Sequence, residues 1–373
     1  MDSIKMVDLY GQYVRIKEEV DSAIQEVINK TSFVKGEEVQ LFEKELGAYL
    51  GVKHVIACAN GTDALQIALM ALDLKPDDEI ITADFTFIAT AEVIALMGMV
   101  PVLADVNRGD YLINPGEIEK RITPRTRAII PVHLFGQCAD MDRIMAIARR
   151  HSLYVVEDNA QALGADYYGS FNCKAGTIAD IGCTSFFPSK NLGCFGDGGA
   201  LFTNNDELAA RIRSIANHGM TRRYYHDHIG INSRLDGIQA AILRVKLRYL
   251  NEYNRLRSAA AARYDAFLGG MEKIEIPART DKSNHIFHQY TLKCKGINRD
   301  EVVEKLNAKK IPAMVYYPVP LHSQKAYSHF GYNDAEYPDT NYLSRNVFSL
   351  PMHTELTAEE QNYICKVLAE IVK

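Results

Sequence analysis

Between residues 54 and 157, five short apolar runs alternate with longer helical stretches: HVIAC (54–58), EIIT (79–82), PVLAD (101–105), RAIIPV (127–132) and LYVVE (153–157). Few folds accept such a text. Runs this short and this uniformly apolar predict strands covered on both faces, and helix-length connections between them predict parallel pairing. The expectation is an α/β unit with a mostly parallel sheet between helices. Ahead of it, Tyr13, Ile16, Val20, Ile24 and Val27 recur at spacings of three and four, which puts one apolar face on an N-terminal helix.

Two more apolar stretches, CTSFF (183–187) and ALFT (200–203), bracket NLGCFGDGG, whose four glycines in nine residues exclude regular helix and predict a tight irregular loop. After a helix-like stretch from Gly237 to Tyr264 the text changes: IPARTDKSNH leads into HQYTLKCK, then a helix over 300–309 and the segment YYPVPLH. A chain of 373 residues can bury two cores. We therefore expect a large unit over residues 1–245, a smaller α+β unit over 246–373, and a hinge near 245–265.

The net charge of −5 gives no electrostatic reason to expect nucleic acid or an anionic membrane as partner, so a small-molecule ligand fits better. Seven cysteines without a CxxC pair suggest reduced thiols in a cytoplasm rather than a disulfide framework or a zinc site. The charged start lacks the apolar stretch of a signal peptide, and no run of about 18 apolar residues could span a membrane. His226 and His228 in RRYYHDHIG lack a third ligand at useful spacing, so they read as a polar loop and no metal is expected; Arg222 and Arg223 beside them read as solvated charges. No GxGxxG follows the first strand, which argues against a dinucleotide-dependent dehydrogenase.

Four features, each with an ordinary structural reading, fall where one cofactor would need them. Lys190 in TSFFPSKNLG would by default be a solvated charge, but its flanking Phe186-Phe187-Pro188 and glycine-rich turn can desolvate the amine and leave it nucleophilic toward an aldehyde. Asp158 follows the LYVVE strand, where it could cap the next helix or point into the crevice and hold a pyridine nitrogen protonated. Asn60-Gly61-Thr62-Asp63 opens a helix, as a plain capping turn or as a phosphate cradle; Ser185 offers a second hydroxyl. Phe87 in DFTFIATAEV could pack in the core or stack on a flat ring.

In order and spacing, ANGTDAL, FTFIATAE, VVEDNAQALGA, TSFFPSKNLG, GDGGA and INSRLDGIQAAIL resemble segments of the sugar aminotransferases of the DegT/DnrJ/EryC1/StrS family. The resemblance implies a fold type I aminotransferase that uses pyridoxal 5'-phosphate (PLP) and forms a homodimer with shared active sites. By it Lys190 matches the lysine that holds PLP as a Schiff base, Asp158 the partner of the pyridine nitrogen, and Gln161 a residue near the ring and its 3' oxygen. Gly61, Thr62, Asp63 and Ser185 match the phosphate site, and Phe87 the stacking aromatic. Asn232 matches an asparagine donated to the phosphate by the neighbouring subunit, and Arg234 a residue near the sugar. Members acting on UDP-linked 2-acetamido-3-keto-hexuronic acids, with L-glutamate as amino donor in surface-polysaccharide synthesis, look most similar. Where such members read His-Tyr-Pro this chain has Tyr316-Tyr317-Pro318, so Tyr316 and Tyr317 are expected at the sugar. Amination at C3 or C4 of a keto-6-deoxy sugar nucleotide uses the same apparatus, and a non-catalytic PLP-fold sensor is the rival of another class. Dehydratases of the family carry His at the lysine position, so Lys190 favours transamination.

Overall fold

The structure, a computed structural model, describes residues 4–373. The apolar runs form strands β1 (His54–Cys58), β2 (Glu79–Ala83), β3 (Val100–Ala104), β4 (Thr126–Ile130) and β5 (Tyr154–Asp158), joined by β6 (Ile181–Ser185) and β7 (Gly199–Thr203). They make one seven-stranded sheet in the order β1-β7-β6-β5-β4-β2-β3. The pairs β2–β3, β2–β4, β4–β5 and β5–β6 are parallel. Strand β7 alone runs against its neighbours β6 and β1. The reason is the glycine-rich connection, which holds no helix to carry the chain back along the sheet, so β6 and β7 must pair as a wide hairpin.

One apolar cluster on the sheet gathers Ile81, Ile129, Val155 and the helix Met141–His151; another gathers Ile80, Val156, Ile181 and the helix Gly61–Ala71. Covered faces explain why the strands read as continuous apolar runs rather than alternating ones. With β7 the sole reversal, the carboxyl ends of β1, β2, β5 and β6 meet at one edge, the position where open α/β sheets bind ligands.

A second sheet, antiparallel, is built from β8 (Ile274–Glu275), β9 (Tyr290–Cys294) and β10 (Val347–Leu350). Its residues Leu292, Phe348 and Leu350 share a core with Leu306, Ile364 and Leu368 of the helices Arg299–Ala308 and Ala358–Val372. Tyr264 and Leu268 of the helix Leu250–Leu268 enter the same core.

Two expected helices are broken. The N-terminal stripe belongs to Leu9–Arg15 and Lys17–Lys30, separated at Ile16, where φ is −122° and ψ 18°. The stretch 237–264 is Gly237–Leu247 followed by Leu250–Leu268; Tyr249 N donates to Lys246 O at 3.0 Å, a tightened turn that interrupts the ladder. RRYYHDHIG forms an exposed two-stranded hairpin, Met220–Arg222 with Tyr225–His226. His226 Nδ1 there meets the His218 carbonyl at 2.8 Å, and no metal-binding group of three or more His, Cys, Asp or Glu exists among the described residues. All seven cysteines are free thiols, and no described helix is long and apolar enough to cross a membrane.

Candidate active site

The carboxyl edge of the sheet opens on a cavity of about 870 Å³. Lys190 lies on its wall, five residues beyond the end of β6. The intervening turn is closed by Lys190 N donating to Phe187 O at 2.8 Å. Its flanks are tied down: Phe186 packs edge-on against Phe42 at 5.3 Å, Asn191 donates to Asn254 Oδ1 at 2.7 Å and Ile286 O at 3.1 Å, and buried Lys246 donates to Gly193 O at 2.5 Å. Burial pushes the Lys190 amine down to about 8, against the opposing pull of Asp158's charge. About a tenth of an amine held there is unprotonated at pH 7.

Asp158 ends β5 and is only 6% exposed. Thr90 Oγ1 donates to its Oδ2 at 2.7 Å and Ala160 N to its Oδ1 at 3.1 Å, yet no basic side chain among the described residues pairs with it. A buried carboxylate without a cation is costly unless a ligand supplies one. Behind it stands Glu157, fully buried: Ile178 N and Ala179 N donate to Oε1 at 2.7 and 2.8 Å, and Gly176 N and His133 Nε2 to Oε2 at 2.9 and 2.8 Å. Because Ala139 N donates to His133 Nδ1 at 3.2 Å, the proton that His133 offers Glu157 is assigned to Nε2, and Glu157 accepts from four donors.

Across the cavity the helix Gly61–Ala71 begins. Its cap is real: Asn60 Oδ1 accepts from Asp63 N at 2.8 Å, so that N–H is already committed, whereas those of Gly61 and Thr62 keep no partner among the described residues. Glycine is required at 61 by a close approach, since a Cβ there would sit 2.7 Å from Ser185 Cβ. The approach brings the Ser185 hydroxyl to the helix start, where the dipole and free amides favour an anion.

Phe87 is 55% exposed and lines the cavity, 6.2 Å from the Tyr317 ring. Gln161 is fixed at both ends: Phe135 N donates to its Oε1 at 2.7 Å and its Nε2 donates to Tyr317 Oη at 3.1 Å. Tyr316 and Tyr317 reach the cavity from the chain's second half, so the structure gathers Gly61, Thr62, Asp63, Phe87, Asp158, Gln161, Ser185, Lys190, Tyr316 and Tyr317 around one space. Asn232 and Arg234 are not there. Asn232 is exposed, and Arg234 lies in a separate hollow with Lys35 and Arg213.

The sequence reading missed Thr90, which orients Asp158, and His288 and Gln289, which line the cavity just before β9. Thr90 sits one turn beyond Phe87 in a segment already singled out; His288 and Gln289 carry no local signal.

The cavity thus joins a desolvated amine, a buried carboxylate awaiting a cation, an exposed aromatic face and a helix start with free amides. A flat, cationic, phosphorylated ring bearing an aldehyde satisfies all four, and PLP is such a molecule. Similarity to known proteins agrees. A protein from Pseudomonas aeruginosa named UDP-2-acetamido-2-deoxy-3-oxo-D-glucuronate aminotransferase is 46% identical over 365 residues, 98% of this chain and 99% of its own. One from Geobacillus stearothermophilus, named pleiotropic regulatory protein, is 43% identical over all of this chain and 99% of its own. The crystal structure of S. venezuelae DesV in complex with a ketimine intermediate superposes with a TM-score of 0.96 at 37% identity, covering 100% of this chain and 99% of that one. With residues 14–369 matching the description of the family as a whole, the chain belongs to the DegT/DnrJ/EryC1/StrS aminotransferase family.

Proposed function

We propose that this PLP-dependent aminotransferase moves the amino group of L-glutamate to C3 of UDP-linked 2-acetamido-2-deoxy-3-keto-glucuronic acid, in the cytoplasm, during synthesis of a surface polysaccharide such as a lipopolysaccharide O-antigen. The name borne by the Pseudomonas relative supports the sugar and the carbon. The observation that carries the chemistry is Lys190 and the cation-less Asp158 on one cavity. When bound, PLP supplies an aldehyde that carries the amino group and a ring that draws electrons from the carbon being deprotonated.

The chain's residues do the rest. Lys190 Nζ would anchor the cofactor, and its amine is the group placed to take and return a proton at the substrate carbon. Asp158, steadied by Thr90, would hold the ring nitrogen protonated. Gly61 and Thr62 amides with the Thr62 and Ser185 hydroxyls would hold the phosphate, Phe87 would lie against the ring, and Gln161 would take its place at the ring's edge. Asp63 serves through its cap. Tyr316 and Tyr317 close the cavity toward the sugar. Asn232, exposed in one chain, completes the phosphate site of a second copy, and Arg234 its sugar site, which makes a two-fold dimer the competent unit. We read residues 1–245 as the cofactor-binding unit and 246–373 as the smaller one.

Incubating the purified protein and PLP with L-glutamate and a panel of keto-sugar nucleotides, and weighing the product, tests the assignment. Amination of a 4-keto-6-deoxy sugar in preference to the 3-keto-uronic acid would move the reaction to C4 or to another sugar. The name of the Geobacillus relative favours a second reading, a regulatory dimer. A protein that binds PLP but turns over no keto-sugar in that panel would support it.

A further inference from the structure

Transamination needs more than an anchor for the cofactor, because the amino-acid donor brings an α-carboxylate one bond from the carbon whose proton Lys190 moves. Its receptor must therefore lie beside Lys190. Among the described residues lining the cavity, Lys190 is the only lysine, no arginine is present, and Asp63, Asp158 and Asp197 add negative charge.

Beside Lys190 stands His288. Its side chain is 6% exposed, its Nδ1 is sealed from solvent, and neither ring nitrogen has a hydrogen-bond partner among the described residues. An orphaned buried N–H is rarer than an orphaned acceptor, so the sealed Nδ1 is best the bare nitrogen, which leaves the proton on Nε2, the nitrogen not sealed in protein. Burial, the Lys190 charge and the Arg257 charge all push the imidazole well below its usual range and keep it a neutral donor.

The position is rigidly built. Arg257, itself buried and facing no carboxylate, donates from Nη1 to the carbonyls of Phe287, His288 and Met352 at 3.1, 3.3 and 3.1 Å. Phe287 takes a φ of 50°, a left-handed turn stabilised by the His285 ring stacked on it at 3.9 Å. From the other half of the chain Gly136 comes so close that a Cβ on it would lie 2.9 Å from Phe287 N and 3.0 Å from His288 N. An imidazole held so firmly with no internal partner is placed for a ligand.

We propose that His288 Nε2–H is the receptor for the α-carboxylate of the amino-acid donor, with Gln289 beside it on the same wall. This rests on the transaminase reading above.

The test compares wild type, His288→Phe and His288→Gln, all loaded with PLP, on two amino donors: L-glutamate and 4-aminobutanoate, which is glutamate without its α-carboxylate. The wild type should prefer glutamate, and His288→Phe should shrink that preference roughly ten- to a hundredfold, the worth of a hydrogen bond to a charged group. His288→Gln, which keeps an N–H near the same place, should preserve most of the preference. In His288→Phe the loss should be markedly larger in the glutamate half-reaction than in the keto-sugar half-reaction, which carries no donor α-carboxylate. Glutarate binding, measured by calorimetry, should weaken about tenfold in His288→Phe. An unchanged donor preference, equal losses in both half-reactions, or glutarate binding that is absent from the wild type or indifferent to the substitution would overturn the proposal. Should the Phe variant fail to fold, loss of the preference in His288→Gln would overturn it equally. A wild type inactive on every sugar would defeat the function proposed above instead, and calorimetry would still judge His288.

Discussion

Lys190 should capture cofactor with a pH dependence set by its burial. Attack on an aldehyde requires the neutral amine. With the group brought from 10.5 to about 8, about one Lys190 in ten is neutral at pH 7, against about one in three thousand for an ordinary lysine, a gain of roughly three hundredfold. The second-order rate of PLP attachment to the apo-enzyme, followed by stopped-flow absorbance, should climb about tenfold per pH unit up to about pH 8 and then level. A free alkylamine under the same conditions should continue to rise toward pH 10 or so. Direction is a separate check. Burial lowers the pKa and the Asp158 charge raises it, so Asp158→Asn should move the break to lower pH, not higher. A rate that still rises through pH 9 in the wild type, or a break that moves upward in Asp158→Asn, would refute the desolvation argument.

Lys190→Ala should lose multiple-turnover transamination altogether, and Asp158→Ala should lose on the order of a hundredfold or more in kcat while still binding PLP; near wild-type kcat in the latter would send the search for the ring-nitrogen partner elsewhere. Mixing inactive Lys190→Ala with inactive Asn232→Ala under subunit exchange should restore roughly a quarter of wild-type activity through one repaired site per mixed dimer, and no recovery despite exchange would place Asn232 in its own subunit's site. Gly61→Ala, whose new Cβ would press on Ser185 Cβ from 2.7 Å, should weaken PLP binding about tenfold in a spectroscopic titration. Glu157→Gln turns an amide N–H toward donors that need an acceptor, so urea unfolding should show a loss on the order of 3 kcal/mol; a change under about 1 kcal/mol would mean the four-donor cage matters little.

What the sequence reveals about this site follows from how locally each part is specified. Strand ends are local. A parallel sheet covered on both faces writes continuous apolar runs, and the residue just past such a run lies at the ligand edge, so Asp158 is legible along with the helix start at Gly61, whereas Ser185 sits inside the run CTSFF. Helix breaks are not, because the apolar period of 3.6 runs on through Ile16 and through Arg248-Tyr249 when both pieces pack on the same core. His288 is hidden for a stronger reason. Nothing in HQYTLKCK distinguishes a ligand-facing histidine from a packed one, and its place beside Lys190 depends on Gly136, 152 residues earlier, letting the two halves of the chain touch. Sequence pattern therefore exposes the half of the site that anchors the cofactor, built where single strands end, and conceals the half that the second sheet supplies. That second half faces what enters the cavity, and it is where members of one family can differ in sugar and donor while keeping the same lysine, aspartate and phosphate cradle.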